Sequence, residues 1–362
     1  MKTDFSNELS PEVREKMKKN LVYVGIFAVV MFFAGLTSAY YVNMGGGFWL
    51  KYPMPLGFYL STLFIACSSL CYILAIRFIK QGKINAMKLQ MALTLVFGLL
   101  FVSFQFIGYR QLIARGIYNP SIFWTYPEIL VNDGRYGDTI TATMQGNAIL
   151  VDGNDFRVSN RAMTKSEFLD FQSYMRNYAL PEQVIFSRQH TPLKAIPSKK
   201  FTLFINNQPL LIKDGKFYSN DSTLMSHTDE IRLCKVAMNV VLGRGHFMMK
   251  GKYGKDFSVY LKGKQLNYKD GAFWINGRIL SESAQLQARE TSDNASAFLY
   301  VISFAHLLHV LGALIYLMVM VKRSITGSYS AENNLSLRLG AMFWHFLGIL
   351  WVYLFLFFNF IH

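Results

Sequence analysis

Five stretches of this chain are long and apolar enough to cross a lipid bilayer: Leu21–Asn43, Leu56–Ile79, Leu89–Tyr109, Ala297–Val321 and Leu339–Ile361. Crossing about 30 Å of hydrocarbon takes roughly 20 residues of helix. Backbone N–H and C=O groups find no water in lipid, so each such segment has to be helical. The composition agrees: 52% of the residues are hydrophobic and 16% charged, against about 25% charged in soluble domains. The first stretch is too long for the apolar part of a signal peptide and follows a polar segment, residues 1–20, so it is expected to stay as a span.

The basic residues beside the spans sort to one side. Lys2, Arg14, Lys16, Lys18 and Lys19 precede the first span. Arg77, Lys80, Lys83 and Lys88 lie between the second and third, and Lys322, Arg323 and Arg338 between the fourth and fifth. On the other side the loop between spans one and two carries only Lys51, and no Lys or Arg follows the fifth span. The positive-inside rule then puts the N-terminus in the cytoplasm and the C-terminus outside. Residues 111–296, between spans three and four, are placed outside, in the periplasm of a two-membrane bacterium, and the chain in its inner membrane. The expected organisation is a cytoplasmic segment 1–20, helices one to three over 21–110, an inserted domain 111–296, and helices four and five over 297–362. Much of the net charge of +15 flanks spans, so a nucleic-acid partner is not implied. Three cysteines, Cys67, Cys71 and Cys234, cannot form a disulfide framework.

The insert is polar and long enough to fold alone. Three related stretches punctuate it: ILVDGNDFRVSN from Ile149, LLIKDGKFYSN from Leu210 and LNYKDGAFWING from Leu266. Asp152-Gly153, Asp214-Gly215 and Asp270-Gly271 are hairpin signals, because a type I′ turn needs positive φ at both central residues. Phe156, Phe217, Tyr218, Phe273 and Trp274 are expected to pack a small core. Helical spacing of apolar residues predicts helices over Thr164–Tyr178 and Thr228–Val241, the second with Asp229 and Glu230 in its first turn. The fold class is therefore an all-α transmembrane bundle of five helices, N-in and C-out, carrying an inserted α+β, hairpin-rich domain. His190, His227 and His246 lack a metal-ligand spacing. Asp152, Asp214 and Asp270 read as turn residues rather than calcium ligands. Lys250, Lys252, Lys255, Lys262 and Lys264 form a basic stretch, either a solvated face or a docking patch for acidic domains or anionic lipid.

Ionisable groups inside a membrane are costly and mark function. Gln105 lies in span three, His306 and His309 share one face of span four, and Trp344-His345 lies in span five. No span carries a central carboxylate, which argues against an independent proton pump or cation-coupled transporter. Three imidazoles could ligate a metal, but hydrogen bonding between helices is the plainer use. Cys67 and Cys71 read as small packing residues.

The sequence Phe304-Ala305-His306-Leu307-Leu308-His309-Val310-Leu311-Gly312 resembles a pattern of the cytochrome c oxidase subunit III family, two histidines three apart followed by Val and Gly. Met342-Phe343-Trp344-His345-Phe346, followed by Leu350-Trp351-Val352-Tyr353-Leu354-Phe355, resembles that family's Tyr-Trp-His-Phe-Val-Asp motif and its aromatic tail. Val30-Met31-Phe32-Phe33-Ala34-Gly35-Leu36 with Ala39-Tyr40, and Leu95-Val96-Phe97-Gly98-Leu99-Leu100-Phe101 with Gln105, are similar to it in spans one and three. The family includes a five-helix form with the topology deduced above from charge. Three of its carboxylates are replaced here, by Val29, Gly348 and Arg338, and the insert is outside its usual pattern.

The resemblance implies a non-catalytic accessory subunit of a haem–copper terminal oxidase, of the aa3 type. It packs on subunit I, cradles structural phospholipids and sustains proton uptake, while haem and copper stay in subunits I and II. His306, His309, Trp344, His345 and Gln105 would form an interhelical polar seam beside the lipid cleft. Lys322, Arg323 and Arg338 would meet lipid headgroups. The insert would dock a partner, such as a subunit II domain, a cytochrome c module or another supercomplex component. Two other readings stay open: a stand-alone transporter or metalloprotein using the membrane histidines, and a membrane-anchored periplasmic binding module.

Overall fold

The computed structural model describes residues 10–117, 136–137, 139–180, 184, 192–247, 249–290 and 292–362. It divides into a helical unit, Met1–Ala114 with Asn294–His362, and an inserted unit, Arg115–Asp293.

The helical unit holds α1 (Pro11–Gly46), a short strand β1 (Phe48–Lys51), α2 (Leu56–Lys80), α3 (Ile84–Ala114), α7 (Ser292–Ile325) and α8 (Leu335–Phe360). Each of the five helices is long and apolar enough to span a bilayer. They outrun the apolar stretches. The Ser10 side chain caps α1, and the Lys19–Glu15 pair at 2.6 Å lies within its charged first turns, where the sequence suggested only a polar leader. The helix continues because its end is capped and its charges sit at helical spacing. In α8 half of the most apolar window is buried, against 11% in α1, so α8 is the centre of the unit and α1 its most exposed member. Helices α2 and α3 meet closely where glycine faces glycine: a Cβ on Gly57 would lie 2.6 Å from the Gly108 nitrogen. Small residues permit this approach, which drives association where lipid removes the hydrophobic effect.

The inserted unit repeats one motif three times. The first copy holds β2 (Ile140–Met144), β3 (Asn147–Asp152), β4 (Asp155–Val158), β5 (Arg161–Ala162) and α4 (Lys165–Arg176). The second holds β6 (Phe201–Ile205), β7 (Gln208–Pro209), β8 (Leu211–Lys213), β9 (Lys216–Tyr218) and α5 (His227–Val241). The third holds β10 (Ser258–Leu261), β11 (Lys264–Gln265), β12 (Asn267–Lys269), β13 (Ala272–Ile275), β14 (Arg278–Ile279) and α6 (Glu282–Glu290). Copies one and two share a six-stranded sheet, β5-β4-β3-β2-β6-β7. At its centre Ala142 faces Leu203, Ile140 faces Ile205 and Met144 faces Phe201, a local two-fold between equivalent strands. One core joins them, with Phe156, Phe171, Met175, Phe201, Phe217, Ile231 and Val236 buried. Copy three builds its own cluster of Phe247, Tyr253, Phe257, Tyr268 and Phe273 rings.

The equivalence of copies one and three reaches single atoms. The amide of Ala142 donates to Tyr136 Oη at 2.8 Å, and Oη donates on to the Ala142 and Ile149 carbonyls. Val259, Tyr253 and Leu266 repeat that arrangement at 3.2, 3.3 and 2.7 Å. Burial pushes the Tyr253 phenol up to about 12.

Two of the three Asp-Gly hairpins form as the turn chemistry predicts: Asp214 and Gly215 have φ of 49° and 69°, Asp270 and Gly271 of 52° and 75°. The first does not. Asp152 pairs with Asp155, so the loop is Gly153-Asn154, one residue later. The reason is tertiary. The Gly245 amide donates to Asn154 Oδ1 at 2.9 Å, the His246 amide donates to the Gly153 carbonyl at 2.7 Å, and Asn154 Nδ2 donates to the Met249 carbonyl. The tip of this hairpin is thus gripped by the segment that follows α5. Of the expected core aromatics, Phe156, Phe217 and Phe273 are buried, whereas Tyr218 and Trp274, one residue on, are half-buried, as strand alternation requires. Thr164 caps α4 in a full capping box with Glu167. Ser226 caps α5, which starts at His227, one residue before the expected Thr228.

Candidate functional site

The polar side chains of the helical unit gather where α2, α3, α7 and α8 meet. His306, on α7, is fully buried. It is ringed by Phe33 of α1, Phe101 of α3 and Trp351 of α8, at 6.3, 6.1 and 5.2 Å between centroids. Its Nε2 lies 3.0 Å from the Leu347 carbonyl of α8. Gln105 Nε2 donates to Ser61 Oγ of α2 at 3.0 Å. Trp344 Nε1 donates to Ser68 Oγ at 3.1 Å, and Ser68 donates to the Thr94 carbonyl of α3 at 2.8 Å. Trp351 Nε1 donates to Thr62 Oγ1 at 2.9 Å, and Tyr109 Oη to Ser303 Oγ at 3.0 Å. These bonds tie α8 to α2, α2 to α3 and α3 to α7. In hydrocarbon each averages about 0.6 kcal/mol and reaches about 2, so their value lies chiefly in fixing register.

The other sequence-selected residues sit differently. His309 Nδ1 lies 2.7 Å from the Ala305 carbonyl of its own helix, with its ring against Phe33 at 5.7 Å. It is half-buried and joins no second helix by that bond. His345 is half-buried too, its ring 5.9 Å from Tyr72, a separate neighbourhood from that of His306. Among the described residues no group of three or more His, Cys, Asp or Glu could hold a metal ion. Lys322 and Arg323 stand exposed in the last turn of α7, where cations also suit the helix dipole. Arg338 Nη2 lies 3.5 Å from Glu15 Oε1 of α1, so its charge has a protein partner as well as access to solvent.

Ser61, Thr62, Ser68 and Thr94 were not singled out in the sequence, and Trp351 was read only as part of an aromatic tail, although all five complete the seam. Their signal was weak but present: Ser61 and Ser68 are seven apart, two turns along one face of α2. In the inserted unit His227 Nδ1 lies 3.7 Å from Glu230 Oε2 of its own helix, and His246 Nε2 lies 2.8 Å from the Val151 carbonyl of β3, another tie between the segment after α5 and the first hairpin. His190 lies outside the described residues. Exposed Lys250, Lys252, Lys255, Lys262 and Lys264 surround copy three.

No protein-family model matches the chain. Over 88 residues it is 33% identical to the cytochrome bo(3) ubiquinol oxidase subunit 3 of Pseudomonas aeruginosa, a stretch covering 24% of this chain and 42% of that protein. The chain thus spans less than half the length of the curated relative it matches. The five apolar helices and this partial likeness fit a multi-pass, subunit III-like membrane protein with an added, sheet-containing domain.

Proposed function

We propose that the chain is an accessory subunit III of a proton-pumping haem–copper terminal oxidase, which braces the catalytic subunit I without performing redox chemistry. The carrying observation is the use of the polar groups in the helical unit. Gln105, Trp344, Trp351 and His306 are spent on helix-to-helix hydrogen bonds. A bundle so built is a scaffold, with no carboxylate in the middle of its spans to relay protons. The likeness to an oxidase subunit 3 supports the same reading.

In this proposal the N-terminus is cytoplasmic, the insert is periplasmic, and phospholipids fill the surface around α1 and the Lys322-Arg323 rim. The insert docks a partner subunit or supercomplex component. The sequence motifs favour a cytochrome c oxidase of the aa3 type; the relative's name introduces quinol as the alternative donor. Purifying the complex through a tag on this chain and supplying reduced cytochrome c or quinol in turn distinguishes the donors. Removing residues 115–293 is expected to release the periplasmic partner while the catalytic subunits stay bound. Unchanged recovery of every subunit would contradict the docking role.

A further inference from the structure

Two buried acceptors lie at one level on α3 and α7, and we propose that they bind one water molecule between them. This does not depend on the oxidase reading. The first acceptor is Gln105 Oε1. Ser61 Oγ donates its proton to the Phe58 carbonyl at 2.8 Å, so towards Gln105 it can only accept. The nitrogen of the Gln105 amide must therefore be the atom at 3.0 Å from Ser61, and Oε1 is the atom left over. The second acceptor is His306 Nδ1. A carbonyl only accepts, so Nε2, 3.0 Å from the Leu347 oxygen, carries the ring proton and Nδ1 of the neutral imidazole is bare. Both residues are at least 99% buried, and neither Oε1 nor Nδ1 has a hydrogen-bond partner among the described residues.

The helix register puts them at one level. Ser324 meets Met87, Lys88 meets the Ile325 carbonyl, and Tyr109 meets Ser303. A Cβ on Gly98 would lie 2.9 Å from the Leu314 side chain. These contacts run down one antiparallel pair and leave Gln105 opposite His306 and Leu307. Phe101, one turn from Gln105, touches the His306 ring.

Two acceptors cannot bond each other. Buried acceptors left bare are costly, and sites of this kind are met by water, which offers two O–H donors. The Phe101 and Trp351 rings, 5.6 Å apart, lie against the same imidazole. The bound water meets the bare Nδ1 that the Leu347 bond leaves and gives a bundle without central carboxylates one hydrated point.

Solid-state NMR of the full chain, labelled with 15N-histidine in phosphatidylcholine bilayers, tests this. The expected result is an unprotonated, hydrogen-bonded His306 Nδ1 with a cross-peak to water. In Gln105→Leu that cross-peak is lost and Nδ1 moves to the position of a free acceptor, while Nε2–H stays in place. A protonated Nδ1 in the wild-type protein, no contact with water, or a cross-peak unchanged in Gln105→Leu overturns the proposal. Should the variant not fold, a wild-type map that resolves ordered solvent decides it. A solvent peak within hydrogen-bond distance of both atoms supports the site, and its absence overturns it.

Discussion

Asn154 shows how much one side chain can settle. It holds the Gly245 amide and the Met249 carbonyl at once and moves the first hairpin's turn by one residue. Asn154→Ala removes both partners and is expected to destabilise the inserted unit by about 1–3 kcal/mol, read as a lower midpoint in denaturant. Glu167 is a gentler case. Arg161 and the Thr164 amide hold its carboxyl down to about 2, from an ordinary value near 4.5. A depressed carboxylate stabilises the fold above its unfolded pKa, and the contribution disappears as pH falls through the folded value. The melting difference between wild type and Glu167→Gln should therefore shrink as pH drops from about 6 towards about 2, and salt should weaken it further, since the Arg161 pair is exposed. Much at this scale was legible in the sequence: the helix opening at Thr164 and the turns at Asp214-Gly215 and Asp270-Gly271 are local chemistry. The Gly153-Asn154 turn was not, because its cause lies some ninety residues away in the segment around Gly245.

At the scale of elements, hydrophobic length located all five long helices, and capping and charge spacing carried them further than hydropathy reaches. Which helix is central was hidden. All five are similarly apolar, yet α8 is the most buried and α1 lies nearly bare, a difference set by partners rather than composition. The α2–α3 pair depends on Gly57 and Gly108. Gly57→Val would drive its branches into the Gly108 backbone, and overpacking of this kind costs about 1–3 kcal/mol or more. The expected result is loss of thermal stability in detergent, with the strand signal of the inserted unit unaffected. The seam was half legible: Gln105, His306 and Trp344 stood out as costly residues in apolar runs, whereas the serines and threonines that receive their bonds are too ordinary in membrane helices to be noticed. His309 and His345 drew attention for the same reason as His306 but engage their own neighbourhoods.

For the whole molecule, the two units carry different arguments. The inserted unit is a threefold elaboration of one β-hairpin motif, with the first two copies fused through a shared sheet. Its repeats were visible as three short related stretches, but not the pairing of copies one and two, which rests on contacts between strands sixty residues apart. In the helical unit Gln105, Trp344, Trp351 and His306 each make a hydrogen bond from one helix to another. The proposed role as a brace for a respiratory enzyme rests on those bonds and on the likeness to an oxidase subunit 3. The most direct test is mild-detergent purification through a tag on this chain from its native membranes, followed by haem spectroscopy and metal analysis of the complex and of the chain separated from it. The account expects haem and copper in the complex, carried by other polypeptides, and neither on the separated chain. A chain that comes away alone, or that carries redox metal or consumes oxygen without partners, would contradict it.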